Sequence, residues 1–115
     1  MSSPLELSLS GQGLAWSKIP AFANQVVAIL ARPDNSASPV ALFARLYVSP
    51  AEPTGTALAD LPTGSINLGT FVSAAGGPSI PFSLSPDGIG ISGGGYLVAE
   101  FEDAGAAHAI FCYLK

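Results

Sequence analysis

The sequence predicts one all-β domain, an antiparallel β-sandwich. Short apolar stretches alternate with polar residues, clusters of Gly, Pro, Asp and Asn punctuate them at fairly regular intervals, and no segment carries a convincing helical period. At 115 residues the chain can build one full hydrophobic core and is too short for two domains.

Leu5-Glu6-Leu7-Ser8-Leu9-Ser10 alternates and stops at Gly11-Gln12-Gly13, a first strand. Leu14 to Phe22 carries Trp16, Pro20 and Phe22 without a clear period, and reads as an irregular crossing loop with Trp16 plugging the end of the core. Gln25 to Arg32 is the second strand. Its near-continuous apolarity also suits a helix, but Val26, Val27 and Ile29 tilt it to β, and Pro33-Asp34-Asn35 is a turn cluster. Val40 to Val48 is the third. Ser49 to Gly64 holds Pro50, Pro53 and Pro62 and reads as a long connection, in which Ala57-Leu58-Ala59-Asp60 suits one helical turn.

Ser65 to Val72 is the fourth strand, with Ile66, Leu68 and Thr70 inward, and Ala74 to Pro78 is a turn. Ile80 to Leu84 is the fifth; Pro81 has no ladder donor, so this strand belongs at an edge or a bulge. A glycine-rich loop over 86–95 precedes the sixth strand, Tyr96 to Glu102, and Asp103-Ala104-Gly105 turns the chain into the seventh, Ala109 to Leu114. There is no repeat of fixed period.

The third strand is the informative one. Val40, Leu42, Ala44, Leu46 and Val48 make a core face, while the other face carries Ala41, Phe43, Arg45 and Tyr47, where a solvated face would carry Lys, Glu, Thr or Ser. Both flanks therefore have to be buried against something.

Charged residues are only 10% of the chain, under half the usual share of about a quarter. Four basic residues against eight acidic ones, a net charge of −4, leave no basic stripe for phosphates, so nucleic acid is not the expected partner. No apolar run approaches a membrane span, so membrane insertion is not expected. Met1-Ser2-Ser3-Pro4 lacks the charge and apolar core of a secretory signal. The expectation is a protein acting in the cell or in a particle assembled there, or one whose leader was trimmed. Cys112, the single cysteine, rules out an internal disulfide and reads as a small core residue.

From the third strand onward the features Phe43-Ala44-Arg45-Leu46-Tyr47-Val48, Ile66-Asn67-Leu68-Gly69-Thr70-Phe71, Pro81-Phe82-Ser83-Leu84 and Gly95-Tyr96-Leu97-Val98-Ala99-Glu100-Phe101, with Asp103 close behind, follow a familiar order. This resembles the bacterial cell-adhesion-related (CARDB-type) and similar immunoglobulin-like domains, over roughly the last two-thirds of the chain. The resemblance implies a seven-stranded antiparallel Ig-like β-sandwich and an adhesive or spacer role, and it carries over no functional residues.

The inventory for catalysis is thin. His108 is the sole histidine and reads as a solvent-facing residue at the start of the last strand; no serine sits in a Gly-x-Ser-x-Gly elbow, and Gly93-Gly94-Gly95 is followed by neither a helix nor a Lys. Glu100, Glu102 and Asp103 form an acidic cluster without calcium-loop spacing. No catalytic residue, cofactor or metal is expected. In an Ig-like sandwich the third, sixth and seventh strands lie side by side. Their outward residues would be Phe43, Arg45 and Tyr47 with Tyr96, Val98 and Glu100, joined by either Phe111 and Tyr113 or Ala109 with them, and Arg45 could pair with Glu100 across the sheet. Such a field is either an interface or is roofed by the 14–22 or 49–64 segment, and the scarcity of charge elsewhere favours the interface. The expected function is a non-catalytic structural protein that self-associates or docks on an assembly such as a phage capsid, tail or surface appendage. The alternative is a lectin-like module that stacks a glycan on these aromatics, with Glu100 and Glu102 accepting hydroxyl hydrogen bonds.

Overall fold

A computed structural model describes residues 5–10, 12–23, 25–32, 41–73, 80–83, 89–90, 95–102 and 107–115. Among these residues the strands are β1 (Leu5–Ser10), β2 (Gly13–Lys18), β3 (Gln25–Arg32), β4 (Leu42–Ser49), β5 (Ile66–Ser73), β6 (Ile80–Ser83), β7 (Ile89–Gly90), β8 (Tyr96–Phe101) and β9 (Ala107–Leu114). A single 3-10 turn, Leu58–Asp60, falls where one helical turn was expected.

The pairings set the topology. β1 pairs with β9, β2 with β8, β3 with β6 and the short β7, and β4 with β5, always antiparallel. The chain is thus one long hairpin with the 50–65 connection at its tip. Further pairing of β3 with β9 and of β4 with β8 winds this ribbon into two sheets. Sheet A runs β1-β9-β3-β6, with β7 also on β3, and sheet B runs β2-β8-β4-β5. A double ribbon wound in this way has jelly-roll connectivity.

Each of the seven expected strands is present, and two were not foreseen. β2 lies inside the segment read as an irregular loop, because its phase is inverted. Leu14 and Trp16 face away from the other sheet while Ala15 faces it. The Ig-type adjacency is not formed either. β9 pairs with β1 and β3 in sheet A, whereas β4 and β8 belong to sheet B, so Phe111 and Tyr113 lie on the opposite side of the molecule from Phe43 and Tyr47. Pro81 lies in the edge strand β6.

The core fills the space between the sheets. Leu7, Val26, Ile29, Ile110 and Cys112 from sheet A meet Leu42, Leu46, Leu97, Ala99 and Phe101 from sheet B. Burying each of the larger side chains stabilises the fold by about 1.5–3 kcal/mol. Against expectation, Thr70 is exposed and Ile66 is 62% exposed. The register shifts between Leu46, opposite Gly69, and Tyr47, opposite Asn67, which makes Leu68 the extra residue of a bulge and turns it to the core. Gly69 takes φ 154°, a conformation costly to other residues, and its N–H donates to Asn67 Oδ1 at 2.7 Å.

His108 corrects a second expectation. β9 begins at Ala107, so His108 lies within the strand and shares the phase of Ile110 and Cys112. It is fully buried, its ring centroid 4.7 Å from that of Phe101, and among the described residues neither ring nitrogen has a hydrogen-bond partner. An imidazole held this way contributes packing and loses hydration without compensation. His108→Leu should therefore leave Tm unchanged or raise it in thermal melts, and a large loss would show that the ring nitrogens are satisfied.

Burial pushes the Cys112 thiol up from 9.0 to about 12. A thiol pKa raised by folding contributes stability that is complete below about pH 9 and declines as pH rises toward 12. Two outcomes follow: thiol reagents label Cys112 only as the chain unfolds, and the alkaline loss of stability between those values shrinks in Cys112→Ala, measured by denaturant titration across that range.

Candidate functional site

The outer face of sheet B is built by cross-strand register. β4 and β8 run antiparallel with Arg45 opposite Glu100 and Tyr47 opposite Val98, and β2 adds Leu14 opposite Glu100 and Trp16 opposite Val98. Phe43, Arg45 and Tyr47 do face away from the core, whose side of β4 is taken by the fully buried Leu42, Ala44 and Leu46.

Arg45 organises the charges. Its Nη1 donates to Glu100 Oε1 at 3.1 Å and also to Glu102 Oε1, while its guanidinium carbon stands 5.1 Å from the centroid of the Phe43 ring. The hydrogen bond to Glu102, and then that to Glu100, hold the Arg45 pKa above its ordinary value. The Tyr47 hydroxyl donates to Glu100 Oε1 at 3.4 Å, and burial, followed by the negative charge of Glu100, raises its pKa. The expected Arg45–Glu100 pair is therefore present, and Glu102 joins it.

Much of this face is closed by the chain itself. The 50–65 connection leaves β4, crosses β8 and reaches the far edge of β2, where the Leu14 N–H donates to the Thr56 carbonyl at 2.7 Å. On the way Glu52 accepts a hydrogen bond from Trp16 Nε1 at 3.1 Å. Asp60 folds the connection on itself by accepting from Thr54 Oγ1 and from the Ala57 N–H. Beneath it Val98 is 0% and Leu14 1% exposed, although neither belongs to the inter-sheet core. Val98, at 0% exposure, is thus inaccessible to a partner and Glu100, at 6%, is nearly so, and Trp16 latches the roof where it was expected to plug the core.

The roof leaves the β4–β5 half of the face uncovered. Phe43 is half-buried opposite Val72, which is 56% exposed, and Thr70 and Asn67 continue the open strip. At the other margin of the roof a recess of about 620 Å³ is lined by Gln12, Thr56, Leu58, Glu100 and Glu102. Tyr96 is half-buried at the end of β8, opposite Ser49 and Lys18. The roof and its latch were not found in the sequence, since no local pattern ties Glu52 to a tryptophan thirty-six residues away. The inverted alternation of Leu14, Ala15 and Trp16 was the signal available.

Compared with family models, curated proteins and solved structures, the chain matches none.

Glu100 is nearly buried while the Glu102 side chain is 42% exposed. Removing Arg45 strands the first in an environment poor in water and merely frees the second. Arg45→Ala should consequently lower Tm more than Glu102→Ala does, and equal effects in parallel melts would show that Glu100 does not depend on this cation.

Proposed function

We propose that this chain is a non-catalytic structural subunit that associates with itself or docks on a larger protein assembly, of the kind that builds phage capsids, tails and surface appendages. The carrying observation is that apolar side chains stay uncovered on the sheets although the core between them is complete. Val72 on sheet B is 56% exposed, and Tyr113 on sheet A is 39% exposed. Open sheet faces ordinarily carry polar residues, and contiguous apolar area on them marks contact surfaces. β5 has no charged residue to discourage docking on its open side. The jelly-roll winding agrees with this reading by association of folds alone, since viral capsid subunits and lectins both use it.

The lectin-like alternative draws on the recess beside Gln12, Glu100 and Glu102. Both glutamates already serve Arg45, which leaves them less free to bind sugar hydroxyls.

Chemical crosslinking in cells, together with sedimentation of the purified chain, tests the assembly reading. Higher-mass species are expected, at lower yield for the Phe43→Lys/Val72→Lys variant. A chain that sediments as a monomer at high micromolar concentration and yields no crosslinked partner sinks the proposal, and a glycan-dependent rise in Tm in the same chain would favour the lectin.

A further inference from the structure

The outer face of sheet A has the properties of a self-complementary surface. β9 runs between β1 and β3, and in register Glu6 lies opposite Phe111, which lies opposite Leu30, while Tyr113 lies opposite Ala28. These residues point away from the core, which takes Leu7, Ile29, Ile110 and Cys112 from the same strands. The middle of the face is therefore aromatic and aliphatic, with Tyr113 39% exposed.

Opposite charges flank β9 on this face. Glu6, on β1, is exposed, and Arg32, on β3, reaches back so that its guanidinium lies 5.5 Å from the centroid of the Phe111 ring. The cation therefore stands near the level of Glu6 along the strands, about two strand spacings, or roughly 10 Å, across the sheet. Among the described residues neither charge makes an ion pair.

We propose that this face binds a second copy of the chain around a twofold axis parallel to the strands. Lying over β9, such an axis exchanges β1 and β3. Glu6 then meets the second copy's Arg32, its own Arg32 meets the second copy's Glu6, and β9 packs over β9 with the Phe111 rings near the axis. A twofold axis across the strands would instead set Glu6 against Glu6. The parallel axis also keeps the two sheets aligned, as in sandwich packing. The molecule measures 39 × 31 × 21 Å, so its broad face can supply the roughly 800 Å² per partner of a standard interface. This inference rests on the assembly reading above and gives it a first partner.

Sedimentation of charge-reversal variants tests it. The chain as it stands should be a dimer. Glu6→Arg places two arginines together on each side of β9 and Arg32→Glu two glutamates, so each variant alone should dimerise at least about tenfold more weakly. Mixed in equal amounts, the two variants restore both attractive pairs and should form a heterodimer. Tyr113→Lys, an exposed change outside the charge pairs, should weaken the dimer as well. A dimer indifferent to all three substitutions overturns this face and leaves the assembly reading standing, and so does a monomer that still crosslinks to other proteins. A monomer without crosslinked partners overturns both.

Discussion

The structure depends on one demand made by β4, which has apolar or half-apolar residues on both flanks and cannot leave either in water. Sheet A covers the first flank. The second is covered in part by the hairpin's own tip, the 50–65 connection, drawn across sheet B and fastened to β2 through the Thr56 carbonyl and Trp16. The result has three layers over part of its area: sheet, sheet and strap. The middle layer can then consist of Leu, Val and Ala on one side and still hold Val98 dry on the other.

Burying this face required the charges on it to be settled locally. Arg45 lies between two carboxylates and against the Phe43 ring, so this cation serves internal partners rather than solvation. A nearly buried glutamate such as Glu100 is tolerated only with a matched cation and hydrogen-bond donors, here Arg45 and Tyr47. Low overall charge and a satisfied interior cluster are two sides of the same economy.

Much of this was legible in the sequence. The alternation at 5–10 and 40–48, and the β-branched residues in the near-continuous apolar run at 25–32, located strands within a residue or two. The Arg45–Glu100 pair could be foreseen once those strands were set side by side. What failed was information that no local window holds. The position of β9 follows from long-range winding, and an Ig-like sandwich and a jelly roll place similar strands in different orders. β2 escaped because its large residues face the strap and its small ones the core, the reverse of the usual pattern. His108 was misplaced because the last strand begins two residues earlier than its apolar run.

The pairing of β1 with β9 sets an order of events for the nascent chain. The β4–β5 hairpin can close as soon as both strands are made, whereas the first strand has no partner until the last one has been synthesised. Contacts of such sequence separation close slowly, and an unpaired strand edge exposed in the meantime favours aggregation. Yield of the folded protein in cells should accordingly be governed by how long β1 waits, a matter of synthesis rate and chaperone supply more than of final stability.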